Sequence, residues 1–396
     1  MGQYLSLTPE HEAFRRTVRE FAEAEIAPYV AQWDRDHHFP VDLIHKMGDL
    51  GLFGLMAPED YGGAGGDFTS LCLAIEEVGR VDQALGVTID AAVGLGMGLL
   101  AEHGSTEQKD RWLPDLVAGR ALAGFGLTEP GGGSDIRGLS TKAVLDGDEW
   151  VINGSKQFIT NSGTDITSIV ITAVRSGTSD SGRPEISAII VPAGTPGFTV
   201  EPAYDKLGWH ISDTHPLSYV DARVPADHLL GERGRGYAQF LAGLDDGRVA
   251  ISALAVGCIQ ACLEMSVEYA GQRVAFGKPI GAKQGITFQI SDIATMAHVG
   301  RAVTYDAAAM RDALTPESSK AEIAAYKQAA AMAKLYTTEA AVTATRIATQ
   351  VFGGYGFMEE YPVARFYRDA KILEIGEGTS EVQRMLIARG LGLPVE

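Results

Sequence analysis

The sequence predicts an α+β chain of three successive domains: a helical N-terminal domain (1–125), a central β-barrel or sandwich (126–236) and a C-terminal four-helix bundle (237–396). Three observations predict it. Apolar residues recur at helical spacing through roughly the first 120 positions, apolar–polar alternation takes over near residue 140, and long alanine-rich stretches return near residue 236. The order helical, β, helical excludes an alternating βα enzyme with its nucleotide site at a sheet switch point.

The first helix starts at Thr8-Pro9-Glu10, a cap, a first-turn proline and an acid for the helix dipole, and Phe14, Val18 and Phe21 follow at helical spacing. PEDYGGAGGD (58–67) carries too many glycines to be regular, and TSLCLAIEEVGR, the run near 91–102 and STEQKDRWLPDLVAG continue the helices. Gly96, Gly98 and Ala101 match a GxGxxA spacing, but a dinucleotide fingerprint needs a strand before it, and these flanks read as helix. Close helix packing is the better account. In TKAVLDGDEWVINGSKQFITN, Asp146-Gly147 and Asn153-Gly154 are turn signals between alternating apolar residues. TSIVITAV, EISAIIVPA and GFTVEP read as further strands, and LSYVDARVPADHLLGERGRG as a last strand and exit loop. Helices then cover roughly 237–271, 284–314 and 319–351, and a last one begins after Ser380, where Ser380-x-x-Gln383 makes a capping box.

A formal net charge of −18 argues against a nucleic-acid partner, which needs a basic face. Cys72, Cys258 and Cys262 form no disulfide framework, and the last two, without His or further Cys nearby, read as small core residues and not as metal ligands. A reducing, cytoplasmic setting is expected. MGQYLSLTPEHEAFRR lacks the apolar run of a secretory segment, and its Gly2…Ser6 match to a myristoylation pattern has no polybasic stretch behind it. AAVGLGMGLLA is too short to span a bilayer, so no membrane association is expected.

The chemistry is concentrated in five segments. EIGEGTSEVQR (374–384) sets Glu377 between Gly376 and Gly378, a carboxylate beside main chain open to close approach. LTEPGGGSD (127–135) offers backbone N–H groups like an anion-cradling nest, without the Gly-Lys-Ser/Thr ending of a nucleoside-triphosphate loop. KQFITN (156–161) ends a strand on Phe158, Thr160 and Asn161. RVAFGKPI (273–280) and QVFGGYGF (350–357) are aromatic, glycine-bearing links between helices. Flat aromatic groups and exposed amides suit a ligand that is planar and phosphorylated, which describes a flavin dinucleotide.

In their order and spacing along the chain, from LTEPGGGSD to EIGEGTSEVQR, these segments, with LGWHISDT (207–214) and LDDGRVAISALAVG (244–257), resemble the acyl-CoA dehydrogenase family over essentially the whole chain. The resemblance implies FAD held between the β and C-terminal domains and completed by a neighbouring subunit of a homotetramer, less often a dimer. It places Phe125, Leu127, Thr128, Gly133 and Ser134 against the flavin, with Ser134 also on the substrate, and Phe158, Ile159 and Thr160 along the isoalloxazine. Arg273, Phe276, Gln284, Gln350, Gly353 and Gly354 match contacts from across the subunit boundary, and Thr379 and Glu381 match late flavin contacts. Asp245, Arg248 and Gly378 fall on the substrate side, and Glu377 matches the catalytic base, which takes the α-proton of an acyl-CoA thioester as the β-hydrogen leaves as hydride. The implied electron acceptor is an electron-transfer flavoprotein. An acyl-CoA oxidase, a dehydrogenase of carrier-protein-bound acyl groups and a non-catalytic acyl-CoA-binding oligomer are the alternatives.

Four positions depart from the family pattern. Gly376 stands where many members carry tyrosine, which suggests a wider acyl pocket. Phe158 replaces a commoner tryptophan, and His215 a frequent arginine. Gly247 occupies the position that supplies the base in the isovaleryl-type branch, which leaves the neighbouring Asp246 as a competitor of shorter reach.

Overall fold

The computed structural model describes residues 7–179 and 182–395. Gly2 and Ser6, the myristoylation match, lie outside the described residues. The N-terminal region contains α1 (Pro9–Phe21), α2 (Val30–Asp36), α3 (Val41–Asp49), α4 (Phe68–Val81) and α5 (Gln83–Asp90). A π-helical turn, Ala91–Met97, joins α5 to α6 (Gly98–His103), and α7 (Thr106–Val117) follows. Thr8 caps α1 as expected, its hydroxyl accepting from the His11 N–H while the His11 ring accepts from the Thr8 N–H. The GxGxxA stretch is helical throughout, so no strand precedes it.

The sheet begins earlier than the sequence suggested. β1 (Leu122–Gly126) lies in the stretch read as helical domain, yet it pairs in parallel with β4 (Thr167–Thr178). With β2 (Lys142–Asp146), β3 (Glu149–Thr160), β5 (Pro184–Pro192), β6 (Phe198–Val200), β7 (Thr214–Pro225) and β8 (Leu229–Leu230) it forms one eight-stranded sheet, ordered β6-β7-β3-β2-β4-β5-β8 with β1 alongside β4. Alternation sorts its side chains between two cores. Val170, Val174, Ile189 and Val191 join Trp150, Ile152, Leu217 and Tyr219 in a small core of the sheet's own. Their neighbours Ile169, Ile171, Ala173, Ala188 and Ile190 face the larger core shared with the helices. Asp146-Gly147 is the β2–β3 turn, with Gly147 at φ +66°. Asn153-Gly154 is not a turn. It lies within β3, where Gly154 marks a register shift against β7, the bulge use of a strand glycine.

Three long helices, α8 (Gly236–Gln272), α9 (Gln284–Asp312) and α10 (Lys320–Phe352), pack with the shorter α11 (Pro362–Ala370) and α12 (Ser380–Gly390). The fourth bundle helix, α12, has only 11 residues. Its N-cap is Thr379, whose hydroxyl accepts from the Val382 N–H, and not Ser380. Gln383 is free for another task, given below. α8 is buried along most of its middle between α4, α9 and α10, which explains its apolar composition. Gln83–His103 and Gly236–Gln272 are long and apolar enough to cross a bilayer, contrary to the expectation for the first, but 83% and 78% of their apolar windows are buried inside the protein. Cys72, Cys258 and Cys262 are free and buried, and burial pushes the Cys72 and Cys258 thiols up. Among the described residues no cluster of His, Cys, Asp and Glu could hold a metal ion.

Candidate active site

Glu377 sits at φ +54°, a left-handed conformation rare for a residue with a side chain, and Gly378 follows at φ +86°. Several bonds hold this kink. The Gln383 side chain donates from one turn into α12 to the Glu377 carbonyl (3.2 Å) and the Gly378 carbonyl (2.9 Å). The buried Lys334 of α10 donates to the Gly378 carbonyl at 2.8 Å. A strained backbone persists only where its surroundings over-determine it, as here. Lys334 carries no sequence signal and Gln383 only the spacing of a capping box, because their place under this turn is set by the tertiary fold.

The Glu377 carboxyl faces α8. A Cβ on Gly247 would lie 2.6 Å from Glu377 Oε2 and 3.4 Å from Leu95 of the π-helical turn, so the glycine leaves room for the carboxylate. Oε2 is buried and has no hydrogen-bond partner among the described residues. Burial pushes the Glu377 carboxyl up to about 7, against the opposing pull of Arg248 and Lys334. Asp246 is no competitor: its carboxylate accepts from Arg311 (2.8 and 2.9 Å) and from the Tyr326 hydroxyl (2.6 Å), turned to α9 and α10. Asp245 and Arg248 are buried and paired with each other, and Lys327 lies 2.8 Å from Asp245.

The second group of predicted residues gathers around the end of β3. Phe125 of β1 is half-buried with its ring 4.7 Å from that of Phe240, and Leu127 is buried beyond it. Phe158 is at φ +61° and 61% exposed, at a break in the β3–β7 register between Lys156 and Ile159. Ile159 points into the sheet's own core, while Thr160 is half-exposed. Gly133 and Ser134 are exposed on the loop after Thr128, whose carbonyl accepts from the Gln157 N–H. That loop hangs on an ion pair the sequence did not disclose. Lys156, fully buried, donates to Glu129 (2.8 Å) and to the Leu127 carbonyl (3.2 Å). Glu129 also accepts from Ser140 and from the Thr141 N–H. Burial alone would raise Glu129, but Lys156 and these donors hold it down at about 2, while burial draws Lys156 down to about 8. Both are charged at pH 7. His215, the arginine replacement, pairs with Ile159 across the strands and lies 2.7 Å from Asp213, which raises its pKa.

Arg273, Gly353 and Gly354 meet around a separate groove of about 500 Å³ on the C-terminal domain, with Tyr269, Phe352 and Tyr355. Gln284, at the start of α9, and Gln350, near the end of α10, are exposed, as is Phe276, at φ +53° and 95% exposed. Thr379 serves as the α12 cap, and Glu381 is exposed. This groove shares no residue with the surroundings of Glu377. The residues fit FAD: Phe158 offers an exposed aromatic face, and Gly133 and Ser134 are exposed on the loop anchored to its strand through Gln157.

A carboxyl with one buried, unpaired oxygen and an exposed aromatic strand end are what a flavin-dependent oxidoreductase requires. Models of the acyl-CoA dehydrogenase N-terminal, middle and C-terminal domains match residues 8–120, 124–222 and 234–392. The chain belongs to the acyl-CoA dehydrogenase family, whose enzymes bind FAD and act on the CH–CH bond of acyl-CoA thioesters. It is 46% identical over 385 residues to a probable acyl-CoA dehydrogenase of Bacillus subtilis, covering 97% of this chain and 98% of the relative. The butyryl-CoA dehydrogenase of Megasphaera elsdenii superposes with a TM-score of 0.91 at 39% identity, over 97% of this chain and 98% of the other. An acyl-CoA dehydrogenase of Bacillus anthracis complexed with FAD gives 0.91 at 32% identity, over 98% of this chain and 67% of the other.

Proposed function

We propose that this enzyme dehydrogenates a short acyl-CoA to the trans-2-enoyl-CoA, with Glu377 as the base, and passes its electrons to an electron-transfer flavoprotein. One observation carries the reading: a carboxyl with one buried, unpaired oxygen, raised to about 7, is fixed at a left-handed backbone position between two glycines. Such a group waits for a proton that no neighbour supplies. FAD, when bound, supplies the acceptor for the β-hydride.

The chain's own residues do the rest. A carboxylate is a weak base for an ordinary Cα–H, so charge building on the thioester oxygen needs a donor. The Glu377 N–H makes no hydrogen bond among the described residues, and a placed donor of this kind is typically worth about 3 kcal/mol. Gln383 and Lys334, by gripping the two carbonyls that follow, keep that N–H and the carboxyl in one arrangement. Lys334 and Arg248 keep the carboxyl from rising further than about 7, which leaves it substantially ionised at neutral pH.

The short-chain assignment draws support from the likeness to the butyryl-CoA enzyme. Gly376 sets the width. A Cβ there would meet only the Ile372 carbonyl at 3.6 Å, and its φ is not positive, so a larger side chain fits the backbone. Gly376→Tyr should therefore abolish turnover of branched acyl-CoAs and spare the shortest straight ones. An unchanged substrate profile would remove Gly376 from the account. Phe276 and Phe357, 95% and 87% exposed, together with the Arg273 groove, favour a homo-oligomer, which we infer to be a tetramer; sedimentation of the holoenzyme checks this.

Anaerobic titration of the yellow holoenzyme with straight and branched acyl-CoAs tests the reaction: the flavin absorbance should bleach with at least one. Reoxidation by electron-transfer flavoprotein, faster than by O₂, tests the acceptor. Fast reoxidation by O₂ instead would mark an oxidase.

A further inference from the structure

Asp90 ends α5, where the helix opens into the π-helical turn. It is 1% exposed, and neither carboxyl oxygen has a hydrogen-bond partner among the described residues. Its neighbours Ala91, Ala92 and Val93 are apolar and buried, so nothing local rewards a carboxyl there. A buried polar group left unpaired is costly, and its retention calls for a partner that comes from outside the fold.

The place of Asp90 shows where that partner arrives. Asp90 Oδ1 lies 3.2 Å from the position a Cβ on Gly94 would take, and Leu95, the next residue, borders Gly247 and through it Glu377. Gly243 precedes Gly247 by one turn of α8, and a Cβ there would meet Leu99 at 3.1 Å. Glycines therefore thin the π-helical turn beside Asp90 and α8 beside Glu377. The two carboxyls are close enough for their charges to interact: burial first, and then the Glu377 charge, push Asp90 well above the usual carboxylate range.

We propose that Asp90 closes the acyl end of the site as a hydrogen-bonding group and selects a short acyl-CoA whose chain carries a neutral hydroxyl beyond the two reacting carbons. The inference rests on the dehydrogenase reading above. Glu377 must be ionised to accept the α-proton, and a second charge beside it in a buried space is opposed. Asp90 then stays a carboxylic acid, with one O–H to donate and a carbonyl oxygen to accept. A hydroxyl answers both. A chain ending in carboxylate would face Glu377 and Asp90, and a bare methyl would leave the acid unpaired. Sites that hydrogen-bond a substrate hydroxyl reject the analogue lacking it far more strongly than apolar pockets discriminate a methylene.

The test is kcat/KM of the holoenzyme for pentanoyl-CoA, 5-hydroxypentanoyl-CoA and 5-aminopentanoyl-CoA in wild type, Asp90→Asn and Asp90→Leu. Wild type should prefer the hydroxyacyl thioester by roughly 10²-fold, a modest share of what a built polar site reaches. Asp90→Asn, which keeps a donor and an acceptor, should hold the preference within about tenfold. Asp90→Leu should reverse it, with the change in the substrate ratio and with pentanoyl-CoA gaining outright. Indifference of the wild type to the hydroxyl, a preference for the amino probe, or an Asp90→Leu effect equal on all substrates would each overturn the proposal. An enzyme whose flavin no acyl-CoA bleaches would instead overturn the dehydrogenase reading, and this proposal with it.

Discussion

Glu377→Gln lowers kcat by roughly 10⁴-fold, the upper end of what a placed base contributes, while the protein keeps its flavin and its fold. The upper end is expected because no substitute stands nearby. Asp246 is held by Arg311 and Tyr326, and burial, the larger cause, still pushes Asp90 up when the Glu377 charge is gone. The amide fits because Oε2 has no partner to lose and Gly247 leaves the same room for a nitrogen. Flavin absorbance of the purified variant and its thermal midpoint separate loss of the base from loss of the site. Retained turnover within tenfold of wild type would remove Glu377 from the mechanism.

The same residue sets two pH dependences of opposite sense. Turnover at low substrate needs the carboxylate, so kcat/KM rises with pH through about 7 and levels above it. Stability runs the other way. The folded pKa lies above the unfolded value, so the contribution of Glu377 is fully present below the ordinary glutamate range and is lost as pH rises through about 7. Glutamine carries no charge to bury. The thermal midpoint of Glu377→Gln should therefore exceed that of wild type at pH 8, and the gap should close on acidification.

The order helical, β, helical was readable because it depends on local signals, apolar period, turn glycines and capped starts, whereas the role of Glu377 as base is what the family resemblance implies. Asp146-Gly147 made its turn, and Thr8 its cap, since both act within four residues. What escaped depends on contacts far apart in sequence. Asn153-Gly154 carries the same dipeptide logic as a hairpin turn, but pairing with β7 on one side keeps the strand running and turns the glycine into a bulge. β1 looks like a helix tail until β4, more than forty residues on, offers it a parallel edge. Gln383 matched a capping box by spacing, yet Thr379 takes the cap and the amide reaches back to the Glu377 turn. Asp90 and Lys334 lie in apolar helices, and their meeting with residue 377 is a tertiary fact.

Lys156→Met is expected to cost roughly 3–5 kcal/mol, the range for removing one partner of a buried ion pair, and to release flavin. The methionine stem replaces the apolar part of the lysine, so the loss is electrostatic: Glu129 keeps its charge in a site whose one buried cation has gone. The loop that begins at Leu127 also loses its anchor, since Lys156 ties the Leu127 carbonyl to Glu129 and Glu129 ties Ser140 and Thr141. Exposed Gly133 and Ser134, read as flavin contacts, hang on that frame. In wild type Glu129 is held at about 2, below its unfolded value, so its stabilisation is complete above the ordinary glutamate range and is lost only as pH falls toward 2. Without Lys156 that pKa climbs, and acid unfolding should begin at a higher pH. The double variant Lys156→Met with Glu129→Gln removes the stranded charge and should recover part of the midpoint without recovering the flavin, because the amide cannot replace the grip on Leu127. Recovery of both would mean that the pair serves stability alone and that the loop is positioned by something else.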